Sequence, residues 1–146
     1  MKGFTMVKVS DVMTFPVITV RPAATVAAAT QKMLHHRIHT LIVDRQYPQD
    51  AYGILTNLDV VNRVVAFGRD PKHMRVLEIM TKPCIVVNPD LELEYAARLF
   101  RQTGIYAAPV IQSKLLGILS ATDLLKHEAI VHRPRGTLLY DAWCSG

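Results

Sequence analysis

The apolar and polar positions of this chain spell one pattern twice. A short helical turn at 9–14 ends in Met13-Thr14 and is broken by Pro16. A second at 76–81 ends in Met80-Thr81 and is broken by Pro83. A short apolar strand follows each turn, at 17–20 and 84–87, and Pro22 and Pro89 punctuate the chain again. Apolar residues then recur at helical spacing. They are Val26, Ala29 and Met33 in the first pass, and Leu93, Ala96, Ala97 and Phe100 in the second. Thr25 and Asp90 suit the N-caps of these two helices, and Gly104 suits the end of the second. Two strands joined by a polar loop come next, 40–43 with 51–55, and 107–111 with 115–119. A last helix runs through 60–65 and 124–130, with apolar residues dense enough to predict burial between the repeats.

Identities at fixed spacing make this a duplication. An offset of 67 carries Val9 to Val76, Met13-Thr14 to Met80-Thr81, Val20 to Val87, Pro22 to Pro89, Ile38 to Ile105 and Val43 to Val110. The loop at 45–50 is three residues longer than its counterpart at Gln112-Ser113-Lys114, so the offset then falls to 64 and Gly53 meets Gly117. The expected organisation is a repeat at 7–68, a linker at 69–75, a repeat at 76–131 and a tail at 132–146. Each repeat reads β-α-β-β-α, an α+β class. A unit of roughly 55–65 residues is marginal alone, so the two are expected to pack face to face.

The most informative stretch is Gly53-Ile54-Leu55-Thr56-Asn57-Leu58-Asp59, repeated as Gly117-Ile118-Leu119-Ser120-Ala121-Thr122-Asp123. A strand there feeds a helix. The hydroxyl stands at the junction and the carboxylate in the first turn. Thr or Ser as cap and Asp against the helix dipole is one reading. An anion site at the free N–H groups is the other.

Composition narrows the classes. Half of the 146 residues are hydrophobic and a fifth are charged, as in globular chains. No apolar run reaches the length of a membrane-spanning helix, and the first residues lack the apolar core of a secretory signal. Two cysteines, Cys84 and Cys144, make no disulfide or metal framework, and a reducing cytoplasm is the expected setting. The net charge of +5 is spread among acids. It suits an ordinary solvated surface or small anionic ligands better than nucleic acid. No Ser/His/Asp order, metal cluster or phosphate-cradling glycine loop supports catalysis, so the chain is not expected to be an enzyme.

The ordered set of motifs resembles the tandem cystathionine-β-synthase (CBS) domain pair, also called a Bateman module, over about residues 7–131. The matching features are Asp11-Val12-Met13-Thr14 and Glu78-Ile79-Met80-Thr81 with their prolines. Ile38-His39-Thr40-Leu41-Ile42-Val43 and Ile105-Tyr106-Ala107-Ala108-Pro109-Val110 follow, and the two Gly-to-Asp motifs close the match. The first repeat departs from the family at Ile42, where Pro is frequent; the second keeps Pro109. The resemblance implies a regulatory module with two clefts about a pseudo-twofold axis, each able to hold an adenosine-containing ligand such as AMP, ADP or ATP. Asp59 and Asp123 would take ribose hydroxyls, and Thr56 and Ser120 would face phosphate. Adenine would lie near Ile18, Thr19 and Val20, or near Ile85, Val86 and Val87. In a nucleotide-sensing member of the family a His in the context of His39 touches phosphate. Family geometry would bring His39 to Asp123 and Tyr106 to Asp59, with the Asp123 cleft the tighter. A homodimer and a separate effector protein are implied too. The competing reading is a constitutive interaction module whose clefts are empty or take S-adenosylmethionine, NAD or nucleic acid.

Other side chains carry weaker expectations. His35 and His36 complement a helix end. His73, His127 and His132 are expected in solvent, and Cys84 as a buried thiol. The tail, with Trp143, is expected to pack on its own domain or a partner.

Overall fold

The structure, a computed structural model, describes residues 6–131. The tail, with Trp143 and Cys144, and His132 lie outside the described residues. In chain order the helices are α1 (Val9–Val12), α2 (Val26–His36), α3 (Asn57–Arg63), α4 (Leu93–Thr103) and α5 (Ala121–Val131). The strands are β1 (Thr19–Val20), β2 (Thr40–Val43), β3 (Gly53–Thr56), β4 (Ala107–Gln112) and β5 (Lys114–Ser120). The class is α+β, as the pattern predicts.

Two compact units form. One comprises residues 16–86; the other joins residues 6–15 with 87–131. In the first unit β1 pairs parallel with β2, and β2 antiparallel with β3, in register Thr40 to Thr56 and Val43 to Gly53. Val26, Ala29 and Met33 of α2 pack with Leu41, Val43, Leu55, Val60 and Val64. In the second unit β4 and β5 form a hairpin through Ser113, at φ 65°. Leu93, Ala96 and Phe100 of α4 pack with Ala108, Val110 and Leu119. Thr25 caps α2 by accepting from the Ala28 N–H, and Gly104 ends α4 at φ 77°.

The units do not follow the order of the sequence repeats, because the leading turns are exchanged. Val76 and Ile79, which open the second repeat, lie in the core of the first unit. Val9 lies in the core of the second. The backbone bonds match position for position. The N–H groups of Val76 and Leu77 donate to the carbonyls of Ala24 and Pro22. Those of Val9 and Ser10 donate to Leu91 and Pro89. Thr81 and Ile54 exchange two backbone bonds, at 2.9 Å each, and Thr14 and Ile118 do the same at 2.9 and 3.0 Å. Each Met-Thr turn thus adds a one-bridge strand to β3 or β5.

Several expectations need correction. Residues 84–87 form no strand; only Val87 bridges to Val110. The cause is Pro109. Its equivalent, Ile42, donates its N–H to the Ile18 carbonyl, and proline has no N–H to give to Ile85. Asp90 is not the cap of α4. That helix starts after Glu92, while the Asp90 N–H donates to the Asn88 side chain. Ala97 faces outward, since the buried stripe is Leu93, Ala96 and Phe100. The last helices are not buried all round. Val60 and Val64 enter the core of their own unit, but Val61, Val65 and Leu125 are exposed. His127 is half-buried rather than solvent-facing, and Cys84 is half-buried rather than buried.

Candidate functional site

The site is built at two helix heads. In β3, Gly53 and Leu55 face inward, and Thr56 ends the strand because its hydroxyl takes over as cap. Thr56 Oγ1 accepts from the Asp59 N–H at 3.1 Å, and Asp59 Oδ2 accepts from the Thr56 N–H at 2.9 Å. The second unit repeats the reciprocal box. Ser120 Oγ accepts from the Asp123 N–H at 3.2 Å, and Asp123 Oδ2 accepts from the Ser120 N–H at 2.9 Å. The Asn57 N–H donates to the His39 carbonyl, and the Ala121 N–H to that of Tyr106. His39 and Tyr106 therefore stand beside the box of their own unit through the backbone.

Both motif glycines have a steric cause. A Cβ on Gly117 would lie 2.8 Å from Met13 Sδ and 2.9 Å from the Thr14 carbonyl oxygen. On Gly53 the same distances, to Met80 Sδ and the Thr81 oxygen, are 3.0 and 3.3 Å. The exchanged turns lie directly over the glycines.

The carboxylates differ. Thr14 Oγ1 donates to Asp123 Oδ1 at 3.0 Å, and Ser120 Oγ also donates to Oδ2 at 3.0 Å. Both oxygens of Asp123 are engaged. Asp59 takes no such bond from Thr81, and its Oδ1 has no partner among the described residues. Thr14 was not anticipated as a site residue. The signal was there, because Met-Thr recurs at the same offset as the motif itself.

The other expected residues are distributed unevenly. The His39 side chain is exposed, with Nδ1 3.5 Å from Asn57 Nδ2. Tyr106 is half-buried and engaged. Ile18 and Thr19 are half-buried, but the Val20 and Val87 side chains belong to the cores. Those two valines can offer a ligand little beyond backbone, and the Val20 carbonyl already accepts from the Asp44 N–H. Ile85 and Val86 are exposed, and their backbone groups bond no described residue. An apolar wall with open backbone groups suits a purine. Among the described residues, no group of three or more His, Cys, Asp or Glu could hold a metal ion.

Residues 9–66 and 76–129 match the CBS domain. The chain belongs to the CBS domain family. It is a tandem CBS pair, similar to a hexameric CBS-CP12 protein from bloom-forming cyanobacteria. That similarity is 48% identity with a TM-score of 0.85, over 96% of this chain and 82% of that one. The CBS domain-containing protein YhcV of Bacillus subtilis is 35% identical over 120 residues, 82% of this chain and 84% of that one. The protein MK0525 of Methanopyrus kandleri is 32% identical over 124 residues, and the chain spans 63% of its length. Where curated enzymes match, the CBS pair spans only 27% of one and 24% of another. No helix of the described residues is long and apolar enough to cross a membrane.

Proposed function

We propose that this CBS pair is a non-catalytic regulatory module. It binds an adenine nucleotide, AMP, ADP or ATP, through its two hydroxyl–carboxylate boxes, and a partner protein reads the resulting change. The observation that carries this reading is the box itself, repeated at a helix head in both units. A carboxylate oxygen accepts from a ribose hydroxyl, and Asp59 Oδ1 is open for that bond. Helix N–H groups and the cap hydroxyl favour phosphate. His39 and Tyr106 add contacts near phosphate, and Ile85 and Val86 add apolar wall.

Calorimetric titration with AMP, ADP, ATP, NAD and S-adenosylmethionine tests this. A nucleotide at 100 times its dissociation constant should stabilise the protein by about 2.7 kcal/mol. Asp59→Ala and Asp123→Ala should each weaken binding, and His39→Ala combined with either shows which carboxylate His39 serves. Unchanged binding in both aspartate variants would sink the assignment.

A second reading has its own observation. Leu58, Val61 and Val65 recur at i, i+3 and i+7 through α3 and the turn after it, and all three are exposed. Such a face supports self-association, as a homodimer or higher assembly. Val61→Glu should shift the sedimentation coefficient to that of a monomer.

A further inference from the structure

The box lies at one edge of the first unit's sheet. The opposite edge carries a different chemistry. β1 and β2 run parallel and β3 antiparallel, so the ends of β1 and β2 meet the start of β3. Arg21, Asp44, Arg45 and Tyr52 are the residues at those ends. They line a depression of about 520 Å³, within the size range of small-molecule sites. Thr56 pairs with Thr40 and Gly53 with Val43, and Tyr52 and Asp44 lie one residue beyond that last pair, so they stand four strand steps, about 13 Å, from the box.

The wall of the depression is held in place. Asp50 accepts from the N–H groups of Gln46 and Ala51, at 3.0 and 2.9 Å, and from Lys82 Nζ at 2.7 Å. Arg45 lies over the Tyr52 ring, 4.8 Å from its centroid, and its Nη1 donates to the Pro48 carbonyl. Two side chains face the depression with no partner among the described residues: the guanidinium of Arg21 and the carboxylate of Asp44. The fold does not require this set. At the repeat offsets the second unit has Asn88 for Arg21, Ile111 for Asp44, Gln112 for Arg45 and Leu116 for Tyr52. It also lacks the three additional loop residues.

A planar guanidinium fork matches the oxygens of a carboxylate or phosphate and holds them more strongly than a neutral donor does. Arg45 is pre-oriented by its stack, so little side-chain entropy is lost on binding. Asp44 is an acceptor without a donor, and it sits where it can receive a hydroxyl or ammonium of the same molecule. We propose that this edge of the first unit binds the oxyanion of a small polar metabolite through Arg21 and Arg45, with Asp44 taking a donor group of that metabolite. The site is separate from the nucleotide boxes and does not depend on them.

The test is a two-dimensional amide NMR titration of the full chain with inorganic phosphate, ribose 5-phosphate and citrate. Saturable shifts are expected at the amides of Arg21, Asp44, Arg45 and Tyr52. Arg21→Ala is the decisive variant, because Arg21 makes no side-chain bond whose loss could disturb the fold. Removing one charge-assisted contact should weaken binding about tenfold. Asp44→Asn should weaken ribose 5-phosphate or citrate, which carry hydroxyls, while sparing inorganic phosphate. Asp59→Ala and Asp123→Ala should leave the shifts at these four amides unchanged, while any ribose 5-phosphate shifts at the two boxes should be lost. Binding by phosphates alone marks a phosphorylated ligand, and binding by citrate alone a hydroxy acid; either supports the site. The proposal is overturned if no anion saturates these amides, if Arg21→Ala binds as tightly as the parent, or if Asp59→Ala abolishes the shifts.

Discussion

The two units are built from one repeat, yet their helix heads are not equivalent. Thr14 closes the Asp123 carboxylate from above, whereas Asp59 keeps one oxygen open although Thr81 occupies the matching position. The reciprocal backbone bonds of the two boxes are alike, and Ser120 Oγ alone adds a bond to its carboxylate. The capping box is therefore what the fold needs, and the remaining oxygen is what a ligand can use. By that measure Asp59 is the readier acceptor. The resemblance alone favoured Asp123, through His39. The difference also shows where duplication leaves room for specialisation. The first unit has a complete β1 because Ile42 donates, and a long ordered loop because of Asp50. The second gives up the strand to Pro109 and closes its hairpin in one residue.

The largest contrast should come from removing the exchanged turn. Deleting residues 1–15 takes Val9 from the core of the second unit, together with the bonds to Leu91, Pro89 and Ile118. Hydrogen exchange should show protection lost across 87–131 and largely kept across 16–86. Equal loss in both units would mean that the turn is not what completes the second. The first unit should likewise survive better as a fragment 16–86 than as one ending at 68, which lacks Val76 and Ile79.

Next in size are the glycines under the turns. Gly117→Ala places a methyl 2.9 Å from a backbone oxygen, so backbone has to move. Overpacking of this kind costs about 1–3 kcal/mol. Gly53→Ala meets a flexible Met80 sulfur at 3.0 Å and backbone only at 3.3 Å. Urea unfolding should rank Gly117→Ala as clearly the more destabilising; the reverse order would remove the steric reading of the motif.

Thr14→Val should cost about 1 kcal/mol for its lost hydrogen bond. Thr81→Val, with no such bond to lose, should stay within about 0.5 kcal/mol of the parent. Thr14→Val also frees Asp123 Oδ1. If the boxes hold ribose, calorimetry should show the affinity of the Asp123 site rising toward that of Asp59.

What the sequence revealed follows a physical division. Local features were legible: Thr25 as cap, Gly104 as terminator, and the core stripe through Val26, Ala29 and Met33. Each is set by residues within one or two turns. The capping box was legible too, because Thr56 and Asp59 satisfy each other at a spacing of three. The exchange of turns was not. Met13-Thr14 and Met80-Thr81 are near copies, and so are the segments around Gly53 and Gly117. A duplicated sequence contains nothing to tell which copy pairs with which. The missing strand at 84–87 was hidden for a related reason. Transferring β1 by the repeat offset overlooked the donor that Pro109 removes from its partner strand. The depression at Arg21 escaped notice because its four residues sit at three separate strand ends. Only the register gathers them.

The smallest effect separates the two loops by pH. The N–H of Gln46 first, and then Lys82, hold the Asp50 carboxyl below the usual aspartate range. A depressed folded-state pKa contributes stability that is complete above the unfolded value and is lost as pH falls through the folded one. The loop at 45–50 should therefore loosen only in acid, below about pH 4, where unperturbed aspartate titrates. The Gln46 amide reports this directly, since its bond goes to Asp50 Oδ2. Its NMR shift should titrate with a midpoint below that of a model aspartate, and the midpoint should disappear in Asp50→Asn. The Ser113 hairpin, closed by backbone conformation with no carboxylate in its link, should show no matching step. A Gln46 midpoint at or above the ordinary aspartate value would mean that Asp50 does not hold the loop. The ordered wall beside Arg45 would then need another cause.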